Sequence, residues 1–429
     1  MLTAGREVTR TIIVLLGFAI PGCAGDGGTA TRSAEWSGTA RDSAGIRVVS
    51  NPQAGIWTDE TRWSAAVDLA IGVREGDPEY QFARIADVDA GPDGRMYVLD
   101  NQTARVSVYE ADGRYALSFG KLGRWPGEFS IDAFAVRVDA TGTVFVRDGI
   151  NRRDNLFGAD GTYLRSVPLG GPWKEWATLP DGSRVERSSN GAWDGIVHVG
   201  SDGEVIDTVL AFEYDMTRTR GALSTSANRV SGGRTEIPLL PPSPSWAVTS
   251  DGRVIAGISD GYRIEVRDPD GTLRMLVEKD HGPLAMSSED RSGMTARIEE
   301  LIRAAGLTND QVHAALQRFS YLPPDSLPAF TGLAGGPGGT IWVQGVLPIA
   351  SMTANAVLDA LNAGSPVWDV FCGDGRYLSQ VVLPSSFNLK EIRGSHIYGI
   401  EIDDLDVQRV VRLEIRPATQ RSEVPFSCG

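Results

Sequence analysis

The residues of this sequence that could hold a ligand recur at a fixed interval. Asp100 and Asn101 follow the apolar run MYVL; 48 positions on, Asp148 follows VFVR, with Asn151 close behind. Asp260 with Tyr262, and Asp403 with Asp404, occupy comparable places further along, while Arg124, Trp125, Trp173 and Trp176 fall in the stretches between such units. An acidic set with aromatic edges can take a divalent cation, a cationic ligand, or the face of a sugar or peptide. A plainer role competes with this and is favoured for Asp100 and Asp148: a short carboxylate at a turn accepts hydrogen bonds from the turn's own amides. Asp403 and Asp404 lack the ordered ligand spacing of a calcium loop and read as a solvated loop.

Enzyme signatures are missing from the sequence. His198, His281, His313 and His396 stand far apart with no zinc spacing, no phosphate loop occurs, and the GxSxG match GISDG, residues 257–261, runs from one strand-like segment of the repeat into the next rather than into a helix, so it is not a nucleophile elbow. No catalytic, cofactor or metal residue is therefore assigned. A formal charge of −14, uninterrupted by any basic run, argues against nucleic acid and against an anionic lipid surface as partners of the folded part.

The elements that position these residues follow from the repeat. MYVLDNQTARVSVYEADGRYALSFG, residues 96–120, aligns without a gap on residues 144–168. RVSVYE and RYALSF alternate with the period of half-buried strands, and Asp-Gly between such runs signals a hairpin with a type I′ turn. The two turns of a unit are 19 residues apart in Asp93/Asp112, Thr141/Asp160 and Asp251/Asp270, and 21 apart in Asp181/Asp202. A fifth unit starts at GGPGGTIWVQG and a sixth at LKEIRGSHIYGIEIDD, which runs out of chain after three strands. RWSAAVDLAIG, residues 62–72, is a strand-like segment standing alone before the first unit. Closing the array into a ring satisfies both orphans, because no edge is left open. The expected fold is all-β: a six-bladed β-propeller closed by pairing of residues 67–71 with 410–415.

At this point the copies resemble a known family. The strand ending in Asp, the Asn-containing turn, the Arg-aliphatic strand and the Asp-Gly turn of residues 96–120 resemble the NHL repeat. With DSAGIRVVSNP and GRWPGEF, the chain as a whole is similar to bacterial six-bladed propeller lipoproteins. The resemblance implies fold and envelope location; that family hosts binding modules and a few enzymes, so it implies no activity.

The ends and one insertion complete the organisation. Arg6 and Arg10 precede an apolar run, residues 11–20, too short to span a bilayer and long enough for a signal peptide. It ends in IPGC, which resembles a lipobox with Cys23 as the acylated residue, so residues 1–22 read as a lipoprotein signal peptide and 23–43 as a flexible tether. The propeller is expected over 44–416 and a tail over 417–429. Cys372 and Cys428 either form a disulfide or stay as two thiols. Between blades four and five, residues 286–319 carry two capping-box spacings, Ser287/Asp290 and Thr308/Gln311, ahead of helical apolar stripes. This helical insertion is expected to bury its stripes on the propeller's loop face.

The functional expectation is a monomeric, lipid-anchored module facing an extracytoplasmic compartment of the bacterial envelope. It would bind a ligand, glycan or peptide, or another envelope protein, and touch the membrane through its anchor only. The competing expectation is a lactonase-like, metal-assisted hydrolase or lyase with a cation in the axial channel. A channel calcium is compatible with the acidic loops and is not predicted.

Overall fold

Asp-Gly turns shape hairpins in blades one to five. The computed structural model describes residues 35–169, 175–189, 193–214, 230–231, 234–281, 285–304, 308–346, 364–403, 405 and 407–416. At the first turn Gly94 adopts φ +83° while Asp93 stays out of the left-handed region. Gly94 N–H donates to Gly91 O at 3.0 Å, Gly91 N–H to Arg95 O at 2.8 Å, and Arg95 N–H to Asp93 Oδ1 at 3.1 Å. This corrects the expected type I′ turn, which needs positive φ at both central residues. The carboxylate bonds the amide two residues on and holds Asp in an ordinary conformation, so a type I turn closes through one left-handed glycine. The same side-chain bond recurs at Asp112, Asp160, Asp202, Asp270 and Asp374.

These hairpins assemble a six-bladed β-propeller. Blade one comprises Ile85–Ala90, Met96–Asp100, Arg105–Tyr109 and Tyr115–Phe119 from axis to rim; blade two, Ala133–Val138, Val144–Asp148, Arg153–Phe157 and Tyr163–Pro168. Blade three comprises Trp176–Thr178, Arg184–Ser189, Asp194–Val199 and Val205–Ala211; blade four, Pro244–Val248, Val254–Ile258, Arg263–Arg267 and Leu273–Lys279. Blade five comprises Gly332–Gly335, Ile341–Val346, Gly364–Phe371 and Tyr377–Val382. Blade six takes Phe387–Arg393, His396–Ile402 and Gln408–Arg416 from the C-terminal part and Ser64–Ile71 from the N-terminal part. The closing register runs from Val410 opposite Ile71 to Arg416 opposite Ser64, as the orphan-strand argument requires.

Three features among the described residues depart from a uniform ring, one being a separate sheet of Val230–Ser231, Arg234–Pro238 and Phe319–Leu322. Blade four carries two further strands: Ile46–Asn51 lies parallel to Leu273–Lys279, and Thr39–Ser43 folds back on it through Ala44-Gly45, both at positive φ. The last five residues of the segment read as a tether are thus a strand, because blade four's rim offers backbone groups that a neighbouring strand satisfies. The insertion forms helices Ser288–Ala304 and Asn309–Arg318, and both capping boxes are made. Met294 and Ile298 are buried with Met286 and Leu239, alongside the partly buried Leu240 and Leu327. The stripe of the first helix is therefore covered by the connections into and out of blade four.

Candidate functional site

Loops from the second to the third strand of a blade, and from the last strand to the next blade, share one face because strand direction alternates. Most nominated residues on this face have their polar groups engaged by the fold. Asp100, 1% exposed, accepts the amides of Ala83 (2.7 Å), Arg84 (3.2 Å), Gln102 and Thr103 (both 3.1 Å). Asp148 accepts Ser130 N–H and Oγ–H, both at 2.6 Å, and Asn151 N–H and Nδ2–H. Asn101 Oδ1 accepts Arg84 Nε–H at 2.7 Å, and Asn151 Nδ2–H also donates to Gly123 O. Asp403 accepts the Leu405 and Val407 amides, which with Arg409 hold its carboxyl below the usual range. Tyr262 is buried between blades four and five, its hydroxyl donating to Asp369 Oδ2 at 2.6 Å.

Among the described residues, Arg124, Trp125 and Asp260 keep exposed side chains outside such networks. Asp404, Trp173, Cys23 and Cys428 lie outside the described residues. Cys372, buried at the end of blade five's third strand, is disulfide-bonded. The nominated residues that are described divide among the loops of blades one, two, four and six.

Two clusters escaped the sequence reading. Around the axis, Asp87 Oδ2 accepts Val136 N–H at 3.1 Å and a bond from Arg137, while Asp89 Oδ2 accepts Val138 N–H at 2.7 Å. These amides belong to the free inner edge of blade two, so blade one's carboxylates satisfy an edge that no strand covers. From blade six, Arg393 Nη2 donates to Val138 O at 3.2 Å and lies 3.7 Å from Asp89 and 3.9 Å from Glu391. Burial, followed by the charge of Asp89, pushes Glu391 up to about 7 against the pull of Arg393 and Arg137. Burial likewise raises Asp89. Glu391 still keeps 31% of its side chain open, which makes it a channel group able to carry a proton near neutral pH. The available signal was a charge at every second residue, Asp87/Asp89 and Glu391/Arg393, in strands that should otherwise be apolar.

The second cluster joins blades four and five. Asp369 accepts from Tyr262 and Lys279 on one oxygen and from Tyr377 and Gln380 on the other, at 2.6–3.1 Å. Lys279 Nζ sits 4.0 Å from the Tyr377 ring centre, and burial followed by the Asp369 charge raises both tyrosines. Among the described residues no group of three or more His, Cys, Asp or Glu side chains is placed to hold a metal ion, and no helix is long and apolar enough to cross a membrane.

No family model matches the chain, and no curated protein matches it. Among solved structures it is similar to a "putative exported protein" of Bacteroides fragilis, at 11% identity over 86% of this chain and 99% of that one, with a TM-score of 0.47. A member of the DUF4221 family from Bacteroides vulgatus gives 10%, 84%, 100% and 0.46. Virginiamycin B lyase from Staphylococcus aureus gives 9%, 83%, 96% and 0.39. The propeller assignment rests on the strand pairing above, and none of these likenesses bears on activity.

Proposed function

We propose that this chain works by contact, as a ligand-binding or protein-interaction propeller of the bacterial cell envelope, lipid-anchored through Cys23. The observation that carries this reading is the fate of the loop-face polar groups. Asp100, Asn101, Asp148, Asn151 and Asp403 are engaged by the fold, leaving Asp260 as an open carboxylate and Arg124 and Trp125 open beside exposed apolar side chains. Such a surface offers shape and affinity rather than reactive groups. A photo-crosslinking residue at position 125, compared in living cells with one at the rim turn residue Asp202, tests it. Adducts at 125 and none at 202 are expected; no adduct at 125 would sink the reading.

A hydrolase or lyase is a second reading, favoured by one observation: the Glu391 carboxyl stands 3.9 Å from Arg393 on the inner strand of blade six with 31% of its side chain open, and burial pushes it up to about 7. Turnover of lactones or esters that is lost in Glu391→Gln and sensitive to chelators would make it the better one.

A further inference from the structure

One sector of the loop face differs from the rest of this acidic molecule. The connection from blade one to blade two, residues 120–132, exposes Leu122 (64%), Trp125 (75%) and Ile131 (58%), and the adjoining loop of blade two exposes Ile150 (57%). These tips are held firmly. Asn151 Nδ2–H donates to Gly123 O at 3.0 Å, Arg153 Nη2–H to Trp125 O at 2.5 Å, and Gly149 N–H to Asp132 O at 3.1 Å. Pro126 and Gly127, the latter at φ +80°, form a turn closed by Glu128 N–H to Trp125 O at 2.9 Å, which presents the indole at its start. The tryptophan is therefore displayed by a defined turn pinned to its neighbour.

Its surroundings carry more cations than anions, the exposed Asp132 and the partly covered Glu128 being the acids. Arg124 and Arg152 are exposed, as is Lys121, which shares the nearby Glu128 with the Trp125 amide. In a chain of net charge −14, a tip with tryptophan and aliphatic residues ringed by Arg and Lys has the composition of a surface that settles among lipid headgroups: the indole and aliphatic groups enter the interface while cations meet phosphate. With more than half of their surface open, these apolar side chains are not set in a groove, which suits a flat partner better than a peptide that needs one. Fifteen residues lie between Cys23 and Thr39, where the chain joins blade four, a reach of up to roughly 50 Å. Anchoring at Cys23 would keep the propeller within tether reach of a bilayer, where a weak contact is populated by effective concentration.

We propose that this tip is a membrane-contact surface, with Leu122, Trp125, Ile131 and Ile150 entering the headgroup layer of an anionic bilayer and Arg124 and Arg152 meeting its phosphates. It rests on the reading of the loop face as a contact surface, and it reverses the sequence expectation that only the anchor touches lipid.

Hydrogen exchange on the full chain purified from the envelope, with and without vesicles, tests it. With vesicles rich in phosphatidylglycerol, amides of residues 121–132 and 149–153 should slow by about tenfold, and with phosphatidylcholine vesicles they should change little. The Arg124→Ala/Trp125→Ala variant should lose this protection while its exchange map elsewhere stays as in the parent, which also shows that it folds. Unchanged exchange on anionic vesicles, equal protection by neutral ones, or protection indifferent to the substitutions would overturn the proposal. A protein adduct at position 125 without lipid protection would preserve the contact reading and remove the lipid assignment; absence of any adduct would remove both.

Discussion

Blades one and two share a backbone, yet the faces they turn to the next blade are filled differently. At positions 48 apart, Tyr97, Leu99, Val106 and Val108 of blade one correspond to Phe145, Arg147, Asp154 and Leu156 of blade two. Leu99 and Val106 sit in a dry cluster with Val136, Val138, Val144 and Val146 of blade two. Their counterparts form an ion pair, with Arg147 1% and Asp154 0% exposed and two bonds of 2.8 Å between them. Arg147 also reaches Glu186 of blade three at 2.9 Å and lies 4.8 Å from the centre of the Trp176 ring. The next interface repeats the device, Arg187 holding Asp194 at the same seven-residue spacing. Equal hairpins thus leave the contents of an interface free, and the neighbouring blade sets them: apolar strands opposite blade one, a glutamate and an indole opposite blade two.

The sharpest way to break this comparison is to give blade two the residue of blade one. Arg147→Leu leaves the buried Asp154 without its cation and Glu186 with Arg184 alone, and should cost about 3–5 kcal/mol in urea unfolding. Arg147→Leu with Asp154→Val restores blade one's apolar pair and should recover most of that loss. A single variant within about 1 kcal/mol of the parent would show that the buried pair does not hold the interface.

Where the two blades agree, substitutions should agree as well. Asp100→Ala and Asp148→Ala each strip a buried acceptor from several loop donors, and each should cost about 2 kcal/mol. Exchange should quicken at 83–84 and 102–103 in the first variant, and at 130 and 151 in the second. A loss confined to one blade would show that the shared loop geometry, with Ala104 and Arg152 both left-handed at φ 52° and 51°, is not held by the same carboxylate.

The smallest effect belongs to the channel, where blades one, two and six meet. Glu391 is raised from 4.5 to about 7, so the folded chain binds the extra proton between those values. Its contribution to stability falls as pH rises through that window and is lowest above it. Glu391→Gln should match the parent near pH 5 and exceed it near pH 8 by on the order of 1 kcal/mol, since the lumen screens the charge. Parallel stability curves for the two proteins across that range would remove the channel carboxyl as a proton-holding group.

The hairpins, the ring closure and the capped helices were legible in the sequence, because each depends on contacts near in the chain or on a pattern of period two. Asp112-Gly113 announces its turn within five residues, and the sixth unit's missing strand announces the N-terminal segment that supplies it. The reversal of turn type was not legible: I′ and a type I turn with one left-handed glycine use the same Asp-Gly, and only the bond from the carboxylate to the second amide distinguishes them. The sequence favours Asp100 as a carboxylate that caps its own turn, and its bonds to the Gln102 and Thr103 amides are of that local kind; its bonds to the Ala83 and Arg84 amides, and the exposure of Trp125, depend on segments outside the turn and were not legible. The channel carboxylates show the same limit. Asp87, Asp89 and Glu391 are ordinary acids along the chain, and their partners come from strands about 50 and 250 to 300 residues away. Local spacing fixes conformation through short-range hydrogen bonds, whereas burial and charge pairing arise only when the ring brings remote blades together.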